Sequence, residues 1–272
     1  MTAKTPLRVG LAGLGAIGLE VAKRLIDGDV DGLILTAVAV RDADKARKSL
    51  PQIGDLIALR TATALADDCD IVVECLPPAL FRDVAISAID KGRIFMPLSV
   101  AQLLDHGDLI TRAKDKGARI LVPSGALLGL DAVRAAAEGN IQSVKMITRK
   151  PPSGLDGAPY LVAKGISLKG LDKPMKVFDG SARDGAKGFP TNVNVAAALS
   201  LAGIGPDKTQ LEIWADPALT RNTHRIEVEA DVARFAMNIE GIPSANPRTG
   251  RIVAPSTIAA LRALVSELKV GS

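Results

Sequence analysis

The clearest chemical pattern in the chain is a set of three glycines, Gly13, Gly15 and Gly18, in the run Gly13-Leu14-Gly15-Ala16-Ile17-Gly18. An apolar stretch at 7–12 precedes them and an amphipathic helical pattern at 19–26 follows, which is the order of a dinucleotide-binding strand, turn and helix. Gly13 permits the tight turn, Gly15 leaves bare backbone for a pyrophosphate, and Gly18 lets the helix lie close on the strand. The helix start at Ala16 and Ile17 offers its free N–H groups to phosphate. At the end of the second apolar strand, 33–40, the acidic residue that would hold a ribose 2′-OH is replaced by Arg41, with Asp42 next. Two readings stand: Arg41 pairs with a 2′-phosphate and NADP is accepted, or Arg41 faces solvent and Asp42 takes the ribose of NAD.

A nicotinamide enzyme needs a polar group near the reacting carbon, and histidine suits it because its ordinary pKa of about 6.5 allows proton exchange near neutrality. The chain has two histidines. His106, in Leu104-Asp105-His106-Gly107-Asp108, reads as a solvated surface residue. His224, in Arg221-Asn222-Thr223-His224-Arg225, opens a strand among polar neighbours and reads either as the candidate for chemistry or as a satisfied structural histidine at a strand end. Glu74, at the end of the strand 71–75, lines the cofactor crevice or serves as a cap. Cys69 and Cys75 form no C-x-x-C pair and read as buried free thiols, and no cluster of His, Cys and carboxylates has metal-ligand spacing, so no metal is expected.

These residues need elements to hold them. Apolar strands and helices alternate through the first half: strand 33–40, helix 43–50, strand 71–75, helix 79–91, strand 93–100, helix 102–116, strand 118–122. That alternation predicts a Rossmann-type, doubly wound parallel α/β sheet over residues 1–125. From about 141 the strands are longer and alternate polar with apolar residues, as at 143–148 and 225–230, which predicts an antiparallel sheet covered on one side. One helix, 193–202, interrupts it. A second, α+β substrate domain is thus expected over 126–252, and an amphipathic helix within 253–272 is expected to pack back on the first.

The chain has 272 residues, 47% hydrophobic and 24% charged, with a net charge of +4. Lys and Arg alternate with Asp and Glu, and aromatics make up 3%, so neither a nucleic-acid arm nor a stacking platform for single strands is expected. The polar start, lacking a cleavage site behind the first apolar strand, and the absence of a long apolar run predict no membrane partner and a cytoplasmic protein. The expected ligands are a dinucleotide and a charged small molecule.

Together with the glycine run, Val122-Pro123-Ser124-Gly125-Ala126, Gly188-Phe189-Pro190-Thr191-Asn192-Val193-Asn194-Val195-Ala196-Ala197, Trp214-Ala215-Asp216-Pro217, Arg221-Asn222-Thr223-His224 and Asn246-Pro247-Arg248-Thr249-Gly250-Arg251 resemble the L-aspartate dehydrogenase family. The resemblance runs through both halves. It implies NAD- or NADP-dependent oxidation of L-aspartate to iminoaspartate, then oxaloacetate and ammonia, or the reverse amination. In some organisms iminoaspartate feeds NAD biosynthesis. It places His224 on the catalytic histidine and Ala126 and Asn194 on positions that contact the cofactor. Asn192 is the better-placed cap of the 193–202 helix. A dicarboxylate needs cations or amides as partners, and Lys150, Lys164, Arg221, Arg225 and Arg248 are the candidates. A homodimer is expected by fold analogy, through an exposed strand edge.

Overall fold

The computed structural model describes residues 5–190, 193–242 and 250–271. The chain forms two compact units, one from the chain up to Pro123 together with Ala254–Lys269, the other around Ser124–Val253.

In the first unit the elements run β1 (Leu7–Ala12), α1 (Ala16–Ile26), β2 (Leu33–Ala39), α2 (Ala43–Ser49), β3 (Ala58–Arg60), β4 (Ile71–Glu74), α3 (Phe81–Asp90), β5 (Ile94–Pro97), α4 (Asp108–Asp115) and β6 (Arg119–Ile120). The six strands lie in the order β3-β2-β1-β4-β5-β6, every pair parallel. From β1 the chain winds outward through β2 and β3, then crosses to β4 on the other side. The order reverses at β1 and β4, and ligands of open α/β sheets bind at the carboxyl ends of strands at such a point. The strands read as continuous apolar runs because parallel strands are covered on both faces, and β4 is buried along its whole length.

Three expected elements are shorter than their apolar patterns. Pro97 lacks an N–H and ends β5 at Pro97, short of residue 100. A 3-10 turn at Val100–Leu104 and the break at His106-Gly107 split the expected helix 102–116, so that α4 starts at Asp108. Another 3-10 turn at Pro78–Leu80 precedes α3.

The second unit holds α5 (Leu130–Ala137), β7 (Ile141–Lys150), α6 (Pro159–Ala163), β8 (Met175–Ser181), α7 (Ala182–Gly188), α8 (Asn194–Ala202), β9 (Gln210–Ala215), β10 (Thr223–Ala230) and β11 (Arg234–Glu240). Its sheet has the order β11-β10-β7-β9-β8. The expected all-antiparallel arrangement is corrected: β7 and β9 run parallel, and the other three pairs are antiparallel. Residues 151–209, which carry α6, β8, α7 and α8, return the chain to the starting end of β7, and a crossover of that kind gives a parallel pair. Polar and apolar alternation reports a half-covered sheet, not the direction of its strands. From about 141, where one helix was expected, three are present among the described residues, α6, α7 and α8. The helix α7 is short and contains two glycines, yet Ser181 caps it by accepting from Asp184 N at 3.1 Å.

The last helix, α9 (Val253–Arg262), seats Ala254, Ile258 and Leu261 in the core of the first unit with Val9, Leu11, Val21 and Leu25. Among the described residues no helix is long and apolar enough to cross a membrane.

Candidate active site

The glycine turn separates into two jobs. Gly13 has φ +98°, and a Cβ there would lie 2.7 Å from the Cys75 carbonyl oxygen. A Cβ on Gly18 would collide with the carbonyl oxygen of Gly13. Both glycines are therefore required by the protein's own backbone. Gly15 is different: a Cβ there would meet no heavy atom within 4 Å. It is the N-cap of α1 and supplies no side-chain bond to the helix start, where the half-buried Ile17 and exposed Ala16 stand. Bare backbone facing open space beside uncapped helix N–H groups fits a pyrophosphate.

Arg41 and Asp42 are both exposed at the end of β2. Asp42 caps α2, its Oδ1 accepting from Lys45 N at 2.9 Å. Glu74 is fully buried and braces two loops at the carboxyl end of the sheet. Its Oε1 accepts from Leu76 N at 2.7 Å and from Ser99 Oγ at 3.1 Å, and its Oε2 from Ser99 N at 3.1 Å. Burial raises its pKa against the pull of these bonds. Such bonding is that of a brace. His106 is only half-buried from solvent, correcting the expected solvated residue: it stacks on Phe81 at 6.0 Å, with Arg82 Nη1 3.3 Å from Nδ1. The two cysteines are free, and burial pushes the Cys69 thiol up to about 12.

The second unit contains a cavity of about 330 Å³ whose walls include Ala126, Ser153, Arg221, Asn222 and His224. His224 is 5% exposed. It sits on β10 directly opposite Thr148 of β7, and the two inward positions meet: Thr148 Oγ1 lies 3.2 Å from His224 Nδ1. That bond leaves Nε2 for the cavity. Burial, then the charge of Lys150, lowers the histidine from its ordinary 6.5 to about 3, so the ring is neutral. Lys150, at the end of β7 and 4% exposed, is itself lowered to about 8 by burial. Arg221 is half-exposed at the cavity, with Nη1 3.8 Å from Glu240 Oε2. Asp216 shapes the loop leading to these residues: its backbone N donates to Lys150 O at 2.8 Å and its Oδ1 accepts from Ala218 N at 3.1 Å.

The structure thus brings Ala126, Arg221 and His224 to one cavity, with Lys150 buried two residues beyond Thr148 on β7. Asn194, the first residue of α8, is half-buried and not part of that wall. Arg225 binds Glu227 at 2.7 Å among exposed groups, and Lys164 is exposed at the end of α6. Arg248, Asn192 and the 246–249 motif lie outside the described residues. Thr148 was missed by sequence reasoning, since only strand register places it against His224. Among the described residues no group of three or more His, Cys, Asp or Glu has the arrangement of a metal site.

Comparison with known proteins agrees with both halves of this arrangement. The family model described as aspartate dehydrogenase, C-terminal, matches residues 131–264, and that of the homoserine dehydrogenase NAD-binding domain matches 13–123. The chain is 52% identical over 271 residues to an L-aspartate dehydrogenase of Bradyrhizobium diazoefficiens, covering 100% of this chain and 96% of the relative. It is 48% identical to L-aspartate dehydrogenase 3 of Bordetella bronchiseptica, with 100% of both covered. Among solved structures, aspartate dehydrogenase from Thermotoga maritima superposes with TM-score 0.72 at 24% identity, covering 97% of this chain and 99% of that one. A hyperthermophilic archaeal homoserine dehydrogenase in complex with NADPH gives TM-score 0.61 at 12% identity, covering 98% and 100%, which speaks to the fold alone. With full-length identity of this order, the chain belongs to the L-aspartate dehydrogenase family.

Proposed function

We propose that this chain oxidises L-aspartate to iminoaspartate, which water converts to oxaloacetate and ammonia, and that it runs the reverse amination. The observation that carries the reading is a neutral, buried His224, fixed at Nδ1 by Thr148 and lining a cavity that also holds Arg221. NAD or NADP, when bound, would supply the acceptor for the hydride that leaves the aspartate Cα. The amine nitrogen gives up a proton as the C–N double bond forms, and the attacking water gives up another. His224 Nε2 accepts one of these protons, on the amine or on the water. A neutral ring is the form able to do so. Arg221 is the cation placed to grip a substrate carboxylate, because it lines the cavity whereas Lys150 is buried and not among the lining residues.

Gly13, Gly15, Ala16, Ile17 and Gly18 form the proposed pyrophosphate seat, and Ala126 and Asn194 the proposed contacts to the nicotinamide end of the cofactor. Arg41 is the residue proposed to select a 2′-phosphate, since Asp42 is already engaged as a helix cap. We further infer a cytoplasmic homodimer, without nucleic-acid or membrane partners, which could supply iminoaspartate to pyridine-nucleotide synthesis. Among the described residues the edge strands β8 and β11 each have one side unpaired, which supports pairing between copies. Light scattering giving a single chain mass would remove the dimer.

The deciding experiment follows reduced cofactor by absorbance with oxaloacetate and ammonia, using NADH and NADPH separately. Consumption that requires ammonia is expected, with His224→Ala slowing turnover by roughly 100-fold or more while dinucleotide binding persists. Unchanged turnover in that variant removes His224 from the mechanism. In the same assay Arg41→Ala should raise KM for NADPH more than for NADH. Equal effects would show that Arg41 does not read the 2′-phosphate.

A further inference from the structure

Strand geometry places the buried Lys150 close to the histidine. Along β7 the residues Val144, Met146, Thr148 and Lys150 are buried, and along β10 so are His224, Ile226, Val228 and Ala230. Register pairs Thr148 with His224, so Lys150 follows two residues further along the same covered face. The neighbouring strand β9 presents Ala215 opposite Lys150. A Cβ on Gly154 would come to 3.9 Å from the lysine's Cβ and 4.0 Å from Asn222 Oδ1, so the loop after β7 closes over it.

Across β10 the residue opposite His224 on β11 is Ile239. Arg221 stands at the cavity and is near Glu240. Asp216 follows β9, with its Oδ1 bonded to Ala218 N and its Oδ2 3.6 Å from Arg149 Nη1. Burial does most to keep the imidazole uncharged, and of these charges Lys150 adds to it. Burying an ammonium costs stability that a methionine of similar length would not.

We propose that Lys150 is a positioning residue for His224, its buried ammonium standing one diagonal step from the imidazole on the same covered face and adding to burial in opposing a second positive charge there. The proposal rests on the reading of His224 as the proton-handling group. Its effect is through space and through one neighbouring strand, not through contact with substrate.

The test uses the full chain labelled with ¹⁵N at histidine. Two histidines give two sets of signals, and His224→Gln assigns them. Titration of the His224 ring is then compared in the wild type, Lys150→Met and Lys150→Arg. Removal of the charge in Lys150→Met is expected to raise the His224 midpoint by about one to two pH units, the size of a unit charge at a diagonal cross-strand spacing of roughly 7–8 Å and an effective dielectric near 20. Lys150→Arg keeps the charge and should keep the wild-type titration. The acid limb of kcat/KM should move with the ring, upward in Lys150→Met and not in Lys150→Arg. A ring that titrates identically in Lys150→Met and wild type, or stays neutral to the same pH in both, overturns the proposal. Should Lys150→Met not fold, Lys150→Gln is read in the same way, and loss of folding in both makes the lysine structural and also overturns it. Failure of the underlying reading is distinct: His224→Ala would then retain turnover, whatever the ring titration shows.

Discussion

Thr148 and His224 show how much one cross-strand pair can decide. The hydroxyl at 3.2 Å from Nδ1 fixes the ring, and the covered face of the sheet keeps it neutral. The same burial has a cost in acid. In the folded chain His224 protonates only near pH 3, whereas in the unfolded chain it does so near 6.5. Between those values the unfolded state holds the extra proton, so stability contributed by the neutral ring is fully present above about pH 6.5 and is lost as pH falls toward 3. His224→Gln, which cannot titrate, should therefore lose less stability than wild type between pH 6.5 and 4. Urea midpoints measured at both pH values check this. Parallel losses in the two proteins would show that His224 does not carry the acid sensitivity.

At the scale of elements, the turn from β1 into α1 makes a sharper forecast than its sequence pattern. Gly15 sits at φ −72°, a conformation open to any residue, and a Cβ there meets nothing. Gly18 has no such freedom, because its Cβ would strike the Gly13 carbonyl. Gly18→Ala should thus destabilise by about 1–3 kcal/mol, the usual cost of overpacking. Gly15→Ala should leave the thermal midpoint near wild type and raise KM for the dinucleotide several-fold. Thermal melts and cofactor kinetics on the two variants separate these outcomes, and a Gly15→Ala variant with unaltered KM would take the pyrophosphate away from this turn. The glycine motif was legible in sequence because each glycine answers a local need. Parallel strands such as β4 were legible too, since burial on both faces leaves an apolar run. The second sheet was less so. Its parallel β7 and β9 pair depends on a long crossover, and the helices α5, α6 and α7 are short, at 8, 5 and 7 residues. The pairing of Thr148 and Lys150 with His224 depends on register between strands more than 70 positions apart, which residue patterns do not contain. Glu74 was visible as a carboxylate at a strand end, but its partner Ser99 comes from the next loop.

On the scale of the whole chain, the first unit is assembled from both ends of the sequence. Leu261 is fully buried in the core built by Val9, Leu11 and Val21, and Arg262 Nη2 donates to Asp29 O at 2.6 Å. The first unit is therefore complete only once α9 is added, after the entire second unit in sequence. Leu261→Ala leaves a cavity in that core and should cost about 2–5 kcal/mol. The chain carries its own reporter for where the loss falls: the single tryptophan, Trp214, lies on β9 of the second unit, with the Arg149 guanidinium 4.7 Å from its ring centroid. In urea, far-UV circular dichroism of Leu261→Ala should show an earlier phase while Trp214 fluorescence keeps its wild-type midpoint. A dinucleotide at about 100 times its Kd adds about 2.7 kcal/mol to the folded state that binds it, so it should move the early phase back toward wild type. If both signals shift together by the same amount, the two cores unfold as one cooperative unit and the stability of α9 belongs to the whole molecule.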